Sequence, residues 1–197
     1  MRRRNLLWIM SIRYKFTPGR FTFMDLQLLR AHQIQIKHQC HAALNASEQA
    51  NATLRARNQE LFWASIQNFL TAVANISKAC WGQRGRLSAE RADLRNSLSI
   101  ADGSPLASTD LRNHLEHYDE RLDRWYRESA RRNYVDFVVG PRARTITGID
   151  ERDVFRFFDP ETNEVIFWGE HYALQPLVDE IVRLLPVVTV ESSKPHW

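Results

Sequence analysis

Residues 111–125 read LRNHLEHYDERLDRW. Arg112, Asn113, His114 and His117 fall within about a turn and a half of one helix. These are side chains able to bind or cleave a phosphate ester. A guanidinium grips phosphate oxygens with a fork of N–H donors. An imidazole, with an ordinary pKa of about 6.5, moves protons at neutral pH. An amide one turn before the second histidine can orient either partner.

On a wheel of about 100° per residue, Leu111, Leu115, Tyr118, Leu122 and Trp125 form one narrow apolar stripe that must face a core. Asn113, His117, Glu120 and Arg124 lie nearly opposite, with Arg112 and His114 flanking that polar face. A histidine pointing away from the core is not a satisfied core residue. Periodicity leaves two readings open: a solvated face, or a surface that meets a substrate or partner.

The elements that must hold this helix can be read on either side of it. Residues 24–46 have helical spacing at Leu29, Ile36, Cys40 and Ala43. Residues 51–80 carry the clearest helix, with Phe62, Ile66, Phe69, Val73, Ile76 and Cys80 in a heptad-like stripe. Ser65, Ala72 and Ala79 recur beside it, small enough for a neighbouring helix to approach closely. WGQRGR breaks the pattern, and a shorter helix spans about 88–98 with Ser88 as its cap. The loop ADGSPLAST leads to Ser108 or Thr109, the expected cap of a helix over 109–129, with Asp110 in its first turn.

After Arg132 the character changes. YVDFVVG, DVFRFF and EVIFWG read as strands, with DPETN as a hairpin loop. A last amphipathic helix is expected over 174–185, ended by Pro186. The expected organisation is a basic N-terminal arm without structure (1–23), a helical bundle (24–131), a small strand-and-helix module (132–190) and a loose tail (191–197). Met1, Met10 and Met24 are alternative starts.

The chain has 27 Lys and Arg against 23 Asp and Glu, a formal charge of +4. Arg greatly outnumbers Lys, a bias that suits a polyanionic partner and that a GC-rich genome would also produce. Two basic stretches stand out: Arg84, Arg86, Arg91 and Arg95 near Trp81, and Arg131, Arg132, Arg142 and Arg144 near Tyr134. Neither makes a recognisable RNA-binding module, and each taken singly reads as solvated surface. No apolar run is long enough to span a bilayer. The two cysteines, Cys40 and Cys80, fall on apolar stripes and are expected as buried free thiols in a reducing, cytoplasmic compartment.

Arg112-Asn113-x-x-x-His117 resembles the signature of the HEPN superfamily of helical nucleic-acid-processing proteins, an Arg and a later His near the start of a late helix in a four-helix bundle. The resemblance covers residues 24–131 in architecture and these few residues in motif. It implies a mainly α fold, a four-helix HEPN-like bundle, here followed by a small α+β module of a β-hairpin plus a helix. It implies a metal-independent, cofactor-free endoribonuclease of defence or toxin type, with its composite site across a homodimer. His117 would transfer the proton of the ribose 2′-hydroxyl or the leaving oxygen. Arg112 would bind the scissile phosphate, and Asn113 would orient the phosphate or the Arg. His114, Arg121 and Arg124 are the accompanying candidates for substrate binding. Toxin members often carry a tyrosine two residues past the His, modified by a partner nucleotidyltransferase. Asp119 stands there instead, so regulation by that particular partner is not expected, while another regulatory protein stays open. The alternative is a non-catalytic helical module of the same shape that binds a nucleotide, RNA or a protein.

Metal binding is the rival chemistry, because His38, Cys40 and His41 crowd one stretch and His114 and His117 lie three apart. Cys40 belongs to an apolar stripe and no Glu-x-x-His pair occurs, so no metal is expected. Nucleophile-elbow, P-loop and dinucleotide signatures are absent.

Overall fold

The computed structural model describes residues 24–108 and 110–195. The expected arm over 1–23, the Met1 and Met10 starts and the cap candidate Thr109 lie outside the described residues, as do the last two of the tail. The fold is mainly helical, with a small four-stranded sheet and a C-terminal helix.

Two long helices, α1 (Leu26–Arg55) and α2 (Gln59–Trp81), form an αα-hairpin. Asp25 caps α1 by accepting from the Gln27 and Leu28 amides at 2.9 and 3.2 Å. The first helix does not stop near Ala46, and residues 51–55, expected in the second helix, belong to it. Ala46, Ala50 and Thr53 are buried and continue the stripe of Ile36, Cys40 and Ala43. The turn comes instead at Arg57, which takes a positive φ of 56°. The Asn58 and Arg57 amides donate back to the Thr53 and Leu54 carbonyls at 2.9 and 3.0 Å, a Schellman closure usually given to glycine. The Asn58 side chain then caps α2 through the Leu61 amide.

The α2 stripe packs as its spacing predicts, with Phe62, Ile66, Phe69, Val73, Ile76 and Cys80 all buried. Each such apolar side chain contributes about 1.5–3 kcal/mol on burial. Gly82 ends the helix at φ 75°, where a Cβ would stand 2.7 Å from that of Leu87. α3 (Ala92–Ser97) is shorter than expected. Its Arg95 is buried, donating to the Cys80 and Ser88 carbonyls at 3.0 and 2.7 Å, so it ties down the end of α2 and is no part of a solvated basic patch.

The helix expected over 109–129 is broken in two, α4 (Asp110–Glu116) and α5 (Tyr118–Glu128), with His117 at φ −102° and ψ 39° between them. Its apolar stripe still meets the core: Leu111 is buried, and Leu115, Tyr118, Leu122 and Trp125 pack against the same cluster.

The sheet runs in the order β1 (Val138–Val139), β2 (Phe157–Asp159), β3 (Glu164–Phe167), β4 (Glu170–Ala173), with a short helix α6 (Arg142–Thr145) between the first two. β1 and β2 are parallel, and the remaining pairs antiparallel. Alternation divides the faces: Phe158, Val165 and Phe167 join the main core, while Phe157 and Ile166 pack with Ile146 and Val154 on the other side. The fourth strand, EHYA, escaped the sequence reading because it is a largely exposed edge without apolar alternation.

The last helix, α7 (Gln175–Ser192), runs straight through Pro186 and past residue 190, where the tail was expected to begin. Proline removes the bond to the carbonyl of Val182, but both residues are exposed, so water can take that carbonyl. Ile181, Leu184 and Val188 are buried as α7 packs along α1. The hydrophobic cluster thus continues without a break from α1 and α2 into β2, β3 and α7.

Candidate active site at the α4–α5 break

His117 sits at the break itself. Its amide still donates to the Asn113 carbonyl at 3.0 Å and its carbonyl accepts from the Arg121 amide at 3.1 Å, so the chain turns without losing the helical direction. The imidazole is 51% exposed, and Nδ1 lies 3.5 Å from Glu120 Oε1. A cleft of about 400 Å³ opens beside it, between α4 and the end of α2, lined by Lys78, Trp81, Arg84, Asn113, Glu116 and His117. Two cations thus share this cleft with Asn113 and His117. Arg112 precedes Asn113 on α4, and its side chain lies outside the described residues.

His114 goes elsewhere. Its ring stacks on Phe167 at 5.0 Å and 20°, with the Tyr172 ring edge-on at 6.1 Å. Arg121 Nε donates to His114 Nδ1 at 3.2 Å, which leaves the proton on Nε2, 3.7 Å from Glu170 Oε2. The Tyr172 hydroxyl donates to the same Glu170 oxygen at 2.6 Å. Burial, and then the Arg121 charge, hold the His114 pKa below its ordinary value against the pull of Glu170. This is a neutral histidine that joins α4 to the edge of the sheet. The wheel put it on the flank of the polar face, and β3 and β4 cover that flank.

The expected residues therefore separate. Asn113 and His117 share the open cleft. His114 and Arg121 bond to each other on the sheet side. Arg124 pairs with Glu128 at 2.9 Å and lies over the Trp168 ring at 5.3 Å.

A cluster that the sequence reading missed anchors the break. The hydroxyls of Tyr118 and Tyr134 both donate to Asp136 Oδ2 at 2.7 Å. Arg156 donates to Asp136 Oδ1 through Nε at 2.7 Å and to Oδ2 through Nη2. The guanidinium also lies 4.5 Å from the Tyr118 ring centre and 3.7 Å from that of Phe137. Burial would raise the Asp136 carboxyl, but Arg156 and the two hydroxyls outweigh it and hold the pKa below the ordinary value. Tyr118 is driven the other way by burial and by Tyr134 and Asp136. Because Tyr118 directly follows His117, this cluster ties the α4–α5 break to the segments that lead into β1 and β2. Tyr118 was legible only as a stripe residue, since a wheel does not show where a hydroxyl ends.

Cys40 points into the core, its thiol pushed up to about 12 by burial, while its neighbours His38 and His41 are exposed. Among the described residues no group of three or more His, Cys, Asp or Glu is placed to hold a metal ion. No described helix is long and apolar enough to cross a membrane. No protein-family model, curated protein or solved structure matches the chain.

Proposed function

We propose that the chain is a HEPN-like, metal-independent endoribonuclease that works as a homodimer, with α1, α2, α3 and α4–α5 as its four-helix unit. The observation that carries the reading is the open cleft at the helix break, where His117 and Asn113 share walls with Lys78 and Arg84. The cations attract a polyanion, and the imidazole is exposed on the side away from the core.

In the proposed reaction His117 takes the proton of a ribose 2′-hydroxyl. The 2′-oxygen then attacks the adjacent phosphorus and the bond to the 5′-oxygen breaks. The leaving oxygen takes its proton from a second imidazole, supplied by another copy of the chain across the two-fold. The products are a 2′,3′-cyclic phosphate and a 5′-hydroxyl. Arg112 balances the charge that builds on the phosphate oxygens, and Asn113 orients the phosphate. Glu120, beside His117 Nδ1, favours the tautomer that leaves Nε2 to face the substrate.

Incubation of single-stranded RNA with the protein in EDTA is the test. Wild type cleaves, and His117→Ala and Arg112→Ala lose about 100-fold or more while still binding RNA. RNA binding without cleavage by wild type would instead identify a non-catalytic RNA-binding module.

A further inference from the structure

A second cleft, about 450 Å³, opens at the far end of α5, between Trp125, the 148–153 segment and Trp168. That volume lies in the range of small-ligand sites. Trp168 and Gly169 form the two-residue connection of the β3–β4 hairpin, with φ of 58° and 79°. Positive φ at both positions is the mark of a type I′ turn, whose first position is normally Asn, Asp or Gly. A tryptophan is held there in a backbone conformation that bulky residues avoid.

Two residues that line this cleft each carry a buried polar atom without a hydrogen-bond partner: the donor Nε1 of Trp168 and the acceptor Oδ2 of Asp153. Asp153 is only 1% exposed, and its other oxygen accepts from Trp125 Nε1 at 2.8 Å. A buried unpartnered acceptor and donor on one cavity ask for a ligand that brings the complementary pair. Arg131 and Arg152 are exposed at the same cleft, and neither has an acidic partner among the described residues. The two outer acids of the cleft are engaged, Glu128 by Arg124 and Asp150 by the Arg152 amide at 2.9 Å.

We infer that this cleft binds a guanine base, with Asp153 and Trp168 reading its edge and Arg131 and Arg152 meeting the attached phosphate. The Watson–Crick edge of guanine sets two N–H donors side by side, to face a carboxylate, with a carbonyl oxygen next to them to face an indole N–H. Adenine offers only one exocyclic donor there, and the single ring N–H of uracil is flanked by two oxygens that a carboxylate repels. The aromatic walls, Trp125 and Trp168, suit a flat heterocycle. Trp125 stands eight residues past His117, ~12 Å along the helix. The assignment of the guanine to RNA rests on the proposed ribonuclease activity; the pocket for the base does not.

Isothermal titration of the whole protein with GMP, AMP, CMP, UMP and guanosine tests it, together with two short single-stranded RNAs, one containing guanine and one lacking it. GMP is expected to bind at least 10-fold more tightly than the other nucleotides, and the guanine-containing RNA to compete with it. Arg131→Ala and Arg152→Ala, both surface changes, should each weaken GMP several-fold while leaving guanosine unchanged. Asp153→Asn should cost at least 10-fold for both; if it does not fold, the two arginine variants and the choice among nucleotides still decide. GMP binding that the guanine-containing RNA does not displace would give the pocket to a free nucleotide and overturn its role in RNA. No saturable GMP binding, equal binding of all four nucleotides, or arginine variants that leave GMP unaffected would overturn the site itself. GMP binding without RNA cleavage would refute the ribonuclease and leave the guanine site standing.

Discussion

The two sides of the α4–α5 segment carry histidines three residues apart that meet opposite fates. On the sheet side His114 is stacked, bonded and held neutral by Phe167, Arg121 and its own burial. On the α2 side His117 stands half-exposed beside two cations and an amide. Residue type and helix position are nearly the same, so what separates the covered histidine from the exposed one is the element that lies over each side. A strand edge arriving from residues 164–172 closes one side, and the turn after α2 leaves the other open.

The largest effect expected is from the cluster that anchors the break. Asp136→Ala should cost about 3 kcal/mol or more, because it leaves Arg156 and two tyrosine hydroxyls around a vacated buried position. Urea denaturation would show it, and a loss below 1 kcal/mol would mean the cluster does not hold the two sides in place. His114→Ala should follow at about 1–2 kcal/mol, from the lost stack and the unpaired Arg121 and Glu170. His117→Ala should stay within about 0.5 kcal/mol of wild type in the same experiment. Equal losses would erase the contrast between the two histidines.

Acid sharpens the same contrast. The His114 pKa is lower in the folded chain than the ordinary 6.5, so its contribution to stability is fully present above about that value. It is lost as the pH falls from there through the folded-state value. His32, lowered by burial and by Arg91, acts in the same direction. Melting temperatures between pH 7 and pH 5 should therefore fall, and His114→Gln should flatten the slope. An unaltered slope in His114→Gln would show that its burial is not maintained in solution.

How much of this was legible in the sequence follows from range. The α2 stripe and the stripe Leu111, Leu115, Tyr118, Leu122 and Trp125 are local periodicities, and both meet the core as their spacing requires. The α1–α2 turn is hidden in the sequence because Arg57 does what glycine usually signals, and the end of α7 is hidden because an exposed proline leaves its helix unbroken. Arg95 looked like surface because nothing nearby in sequence shows that it caps the carbonyl of Cys80. At the site, the wheel correctly turned Asn113 and His117 away from the core and left both residues on one open cleft. It could not show that β3 and β4 cover His114, or that Asp136 and Arg156 hold Tyr118, since those partners lie 18 to 58 positions away.

On the proposed reading His117 moves the proton in RNA cleavage, while His114 joins α4 to the edge of the sheet. Initial rates of RNA cleavage in EDTA, compared among wild type, His117→Ala and His114→Ala at a temperature where all three are folded, test it most directly. Wild type should cleave, His117→Ala should lose about 100-fold or more, and His114→Ala should stay within a few-fold of wild type. Cleavage that survives His117→Ala, or that fails only in His114→Ala, would contradict it.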